Sequence, residues 1–112
     1  MEDTDRIVIV ASGFGLWRGG RHAGSARWSD VSRIQATVDR TSAEPSVLVR
    51  VSLDTGMVLE LVDSLPGWAS FLATAADRLP GMPRLAAWLP ALLAPTSADA
   101  ERVLFERASR TR

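Results

Sequence analysis

The chain has one histidine, His22, between Gly20 and Gly24, with arginines at 18, 21 and 27. An imidazole among guanidinium groups suits two kinds of chemistry: general-base catalysis, or capture of an anion. A general base needs a nucleophile to activate and a carboxylate to orient it. The neighbourhood offers neither as a set, so His22 reads as an exposed loop histidine. Arg18, Arg21, His22 and Arg27 then form a candidate anion or partner patch, weighed against the plainer reading of a solvated loop. Four tryptophans accompany them. Trp68 and Trp28 fall where a core is expected. Trp17 and Trp88 are candidates for an aromatic at an interface, although burial accounts for either of them more simply.

A glycine pattern runs from Val8 to Gly19, with Asp30 a little under 20 residues beyond it. A dinucleotide site with such a pattern requires a helix to start at the glycines and face its N-terminus to the pyrophosphate. Leu16-Trp17-Arg18 leads directly into Gly19-Gly20, so no helix can start there, and a β-hairpin turn is the better reading. The acidic residues Asp30, Asp39, Asp54, Glu60 and Asp63 are scattered, with no local pair spaced for acid–base work or a divalent cation. There is no cysteine, no lysine and no Gly-x-Ser-x-Gly elbow. A thiolate or multi-histidine metal site is excluded. We therefore expect no enzyme, no cofactor and no metal.

Composition narrows the class further. Thirteen basic residues balance thirteen acidic ones over 112 residues, which argues against nucleic-acid binding driven by a strong overall field. All thirteen basic residues are arginine, and asparagine and tyrosine are absent. This pattern suggests the codon bias of a GC-rich bacterial genome. Missing cysteine fits a reducing compartment. The start is acidic and its apolar run is short, unlike a secretory signal. The apolar stretch 79–95 carries Arg84 and four prolines, which is unlike a membrane span. The expectation is one cytoplasmic domain over 1–112 with flexible termini at 1–5 and 108–112.

The elements that must hold the candidate residues follow from periodicity. Strands are expected at 6–11, 14–18, 33–40, 47–53 and 57–62. A Gly-rich loop is expected at 19–25, a helical turn near 29–31 and a turn at Asp54-Thr55-Gly56. Trp68, Phe71, Leu72, Ala75, Ala76 and Leu79 mark one helix over 65–79, with Ser64 as its cap and Pro66 in its first turn. Residues 84–94 read as helical turns interrupted by Pro90. Residues 97–107 fit either a strand or a helix capped at Ser97. Strands followed by helices give an α+β fold: a curved antiparallel sheet of about five to seven strands closed by one long helix.

The order of landmarks, Trp28-Ser-Asp-Val31, Ile34-x-Ala36, Asp54-Thr-Gly56, Pro66-Gly-Trp68 with Phe71-Leu72, Leu79-Pro-Gly81, Trp88, Pro95 and Val103-Leu-Phe-Glu-Arg107, is similar to a group of small uncharacterised bacterial proteins. More loosely, it resembles bacterial pleckstrin-homology-like domains. The resemblance implies a bent sheet closed by a helix and an extended segment at 102–107. It implies no catalytic residue. The leading expectation is a non-catalytic module that binds another protein, in an immunity-like or regulatory role. Homodimerisation through an edge strand or through 84–95 is also open. No nucleic acid and no membrane are expected as partners. The rival reading is a small-ligand or anion binder using Trp17, Arg18, Arg21, His22 and Arg27.

Overall fold

The computed structural model describes residues 5–39, 44–94 and 101–107. The expected flexible termini, apart from Asp5, lie outside these residues. So do residues 41–43, between the strands expected at 33–40 and 47–53, and the Ser97 helix cap. The order of elements is β1 (Arg6–Val10), β2 (Gly13–Arg18), β3 (Arg21–Arg27), a 3-10 turn (Trp28–Asp30), β4 (Val31–Asp39), β5 (Ser46–Leu53), β6 (Val58–Val62), α1 (Trp68–Arg78), α2 (Leu85–Leu93) and β7 (Glu101–Glu106). All strand pairings are antiparallel.

The α+β class holds, but the single curved sheet is corrected to two. β1-β2-β3 form one sheet and β6-β5-β4-β7 the other. The division falls at the 3-10 turn. Trp28 N donates to Ser12 O (3.1 Å), and Asp54 N donates to Asp30 O (2.8 Å). The Arg107 side chain donates to Val31 O and Trp28 O. This corner turns the chain out of the first sheet, so β4 pairs with β5 and β7.

The second sheet follows its pattern. Ile34, Ala36 and Val38 of β4 and Val47, Val49 and Val51 of β5 are buried on one face, with polar or half-exposed residues between them. The turn after Leu53 forms as expected, with Gly56 N donating to Leu53 O (2.9 Å). β7 settles the ambiguous C-terminal segment as a strand. Its register shifts between Ile34 and Gln35, so Leu104 is the extra residue and both Leu104 and Phe105 are buried.

α1 joins the two sheets. Trp68 Nε1 donates to Leu61 O on β6 (3.0 Å). Phe71 meets Phe14 of β2 edge-on, with centroids 4.8 Å apart, and stacks on Trp28 at 5.6 Å. The stripe Trp68, Phe71, Leu72, Ala75 and Leu79 is buried as expected. The helix is shorter than the expected 65–79, and its N-cap is Gly67 with φ 91°, not Ser64. Residues 65–67 instead form the joint to β1: Pro66 O accepts from Ile7 N (2.9 Å). A Cβ on Gly67 would lie 2.5 Å from Ile7 O, so the joint needs glycine both for its φ and for the close approach.

α2 corrects the reading of broken turns, because it runs through Pro90. Pro90 withholds a hydrogen bond from Ala86 O, but both residues lie on the exposed face, where solvent can satisfy the carbonyl. Trp88 and Leu92, one turn apart, anchor the opposite face in the core.

Candidate functional site

β3 corrects the expected loop at 19–25. Gly19 and Gly20 have φ of 60° and 78°, the left-handed pair that a two-residue hairpin turn needs. The chain therefore reverses at once and pairs with β2. Asp5 Oδ1 accepts from Gly19 N at 2.7 Å and braces the turn. The register slips between Leu16 and Trp17, leaving Ala23 as the extra residue.

The candidate residues separate on this hairpin. Arg6, Trp17 and His22 lie opposite one another across β1, β2 and β3. The Arg6 guanidinium sits 5.8 Å over the Trp17 ring. Trp17 meets His22 edge-on with centroids 5.5 Å apart. These three form a row on the outer face of the first sheet. Arg18 points to the other face, and its Nη2 donates to Glu60 O of β6 (2.9 Å). Arg21 is directly opposite Arg18, and both are exposed. Arg27 is at the far end of β3, away from Arg18 and Arg21, so the five-residue patch is not one cluster. Trp88 is 0% exposed. Its apolar neighbours in the core, including Leu92 and Leu85, account for it, and it is corrected from surface candidate to core residue.

Sequence reasoning missed the place where this hairpin meets the second sheet. β3 and β6 are both edge strands. They flank a cleft of about 290 Å³ lined by Leu16, Arg18, Ala23, Val58, Leu59 and Glu60. A Cβ on Gly24 would contact Leu59 at 3.5 Å and Met57 at 3.7 Å, so the two strands approach closely here. Met57, Val58 and Val62 along β6 are 48%, 50% and 38% exposed. β3 itself buries no side chain. The Glu60 carboxylate is occupied by Arg50, at 3.0 Å. The cleft thus combines apolar β6 side chains with Arg18, and Arg21 lies across the hairpin from Arg18; neither cation has a carboxylate partner among the described residues. A sequence signal was present in Met57-Val58-x-x-x-Val62, but strand pairing alone decides which side of that strand stays open.

No family model, curated protein or solved structure matches the chain. Among the described residues, no three of His, Asp and Glu come together as a metal site. No helix among them is long and apolar enough to cross a membrane.

Proposed function

We propose that the chain is a non-catalytic interaction module that receives an extended segment of another protein along the seam between β3 and β6. The observation carrying this is the pair of sheet-edge strands flanking one cleft, bridged at Glu60 O by the Arg18 side chain. A sheet edge presents unpaired N–H and C=O groups, and an added strand satisfies them. The exposed Met57 and Val58 would take apolar side chains of the incoming segment. Its flanks would be acidic, because Arg18 and Arg21 face each other directly and like charges so placed repel. A carboxylate from the partner relieves that repulsion. Small residues at Ala23, Gly24, Ser25 and Ala26 leave the β3 backbone accessible.

In this reading the domain is of the pleckstrin-homology-like kind and works in a bacterial cytoplasm as a regulatory or immunity-like binder. Seven antiparallel strands braced by a helix support the fold assignment. The arginine-only basic set and the absence of cysteine support the setting.

Selection of displayed random peptides against the full chain tests the binding mode. Enriched peptides should alternate apolar residues and carry acidic flanks. Their amide chemical-shift changes should fall on 21–27 and 58–62. Val58→Asp should abolish binding without lowering the melting temperature. Shifts centred elsewhere, or undiminished binding by Val58→Asp, would overturn the assignment. Concentration-dependent self-association mapped to the same residues would replace the foreign partner with a second copy.

A further inference from the structure

A second cleft, of about 410 Å³, lies at the corner between the sheets and is lined by Arg27, Arg78 and Arg107, with Ser12, Ser29 and Trp28 among its other residues. The three arginines come from the end of β3, the last turn of α1 and the residue after β7. Nothing in their sequence spacing associates them. The lining contains no carboxylate. None of the three guanidiniums has a salt bridge among the described residues, whereas Arg33, Arg50 and Arg84 each have one. Arg78 also suits the C-terminal end of its helix, but that role does not require Arg27 and Arg107 beside it.

Arg107 is fixed in place. Its Nε donates to Val31 O (3.1 Å) and its Nη2 to Trp28 O (3.4 Å), in a partly buried setting. A guanidinium has five N–H donors, so donors remain for a ligand, on a side chain whose conformational freedom is already spent. In a chain with no net charge, three cations with no ion pair among the described residues line one cleft, and a bound anion offsets their mutual repulsion. The cleft also falls within the range of small-ligand sites, roughly 300–1,000 Å³.

We propose that this cleft binds a soluble small molecule carrying a phosphoryl group. A tetrahedral dianion presents several acceptor oxygens to planar guanidinium forks, and two serine hydroxyls can add donors. A single carboxylate would leave most of the positive charge unmatched. The same phosphoryl chemistry occurs on lipid headgroups, so the experiment separates the two sources.

The full chain is titrated with inorganic phosphate and with inorganic pyrophosphate, and followed by amide chemical shifts. Vesicles of phosphatidylcholine containing phosphatidic acid are tested by co-sedimentation. Saturable pyrophosphate binding is expected, with shifts at Ser12, Arg27–Ser29 and Arg78. Arg27→Gln and Arg78→Gln should each weaken it about tenfold, as for one lost hydrogen bond to a charged group. Both side chains are exposed, so the melting temperature in the absence of anion should hold, and Arg84→Gln should bind as wild type does. The proposal fails if the double Arg27→Gln, Arg78→Gln variant keeps wild-type affinity, or if the shifts centre on Arg18 and Arg21. It also fails if the chain sediments with the vesicles but does not respond to either free anion.

Discussion

The β4–β5 pair, of nine and eight residues, and the β2–β3 pair, of six and seven, make different use of their residues. Along β4 and β5, Val31, Ile34, Ala36, Val49 and Val51 have no solvent exposure. Along β3 no residue is buried, and β2 supplies the inward Phe14 and Leu16 for both strands. Removing apolar area from water stabilises by roughly 25 cal/mol per Å², so the second sheet, the helices and the inward side of β1 and β2 carry more of the stability than β3 does. β3 is held by its turn, its backbone ladder and the Arg6–Trp17–His22 row. A strand with little role in the core can change its surface residues with little effect on folding, which suits a strand that meets partners.

Substitutions can test this contrast, and the largest effect should come from the core. Trp68→Ala removes a side chain that is 6% exposed and bonded to Leu61 O. It should cost about 3–5 kcal/mol, lowering the melting temperature by more than about 10 °C at roughly 4–8 °C per kcal/mol in a small domain. Circular dichroism would measure it, and a drop under about 3 °C would mean α1 does not bridge the sheets. Gly67→Ala tests the joint between β1 and α1. It places a side chain at φ 91° and against Ile7 O, for a loss of about 1–3 kcal/mol in a denaturant titration. Trp17→Ala, on the outer face of its hairpin and away from the buried Phe14 and Leu16, should cost only about 1 kcal/mol, the scale of one cation–π and one edge-on ring contact. Ser25→Ala on β3 should stay within about 0.5 kcal/mol of wild type. A large loss there would mean that β3 carries weight in the fold.

The same contrast explains what could be read from the residues. β4, β5 and α1 bury one face each, so Ile34-x-Ala36-x-Val38 and the Trp68–Leu79 stripe showed them directly. β3 half-buries only Gly24 and Ala26, too weak an alternation to mark a strand, so 19–25 read as a loop. Only the left-handed turn at Gly19-Gly20, read as hairpin geometry, signalled a returning strand. α2 was obscured by Pro90, whose missing hydrogen bond falls on the solvent side. The candidate site was legible in part. Trp17 and His22 are indeed neighbours, and Arg18 and Arg21 face each other. The link from Arg18 to Glu60 spans 42 positions, and the meeting of Arg27 with Arg78 and Arg107 spans more. No local pattern encodes either one. Trp88 has the same residue type in a core as at a surface, and only packing distinguishes the two.

The central claim is that the seam between β3 and β6 is open in the free protein and closed by an extended partner. Residue-resolved amide hydrogen exchange, with and without a selected peptide, tests it most directly. In the free chain, amides pointing outward from 21–27 and 58–62 should exchange orders of magnitude faster than those of Ile34–Val38 and Val47–Val51, which open only with global unfolding. Adding peptide should slow the first group and leave the second unchanged. Outward β3 and β6 amides as protected in the free chain as those of β4 and β5, or no slowing in the complex, would contradict the account.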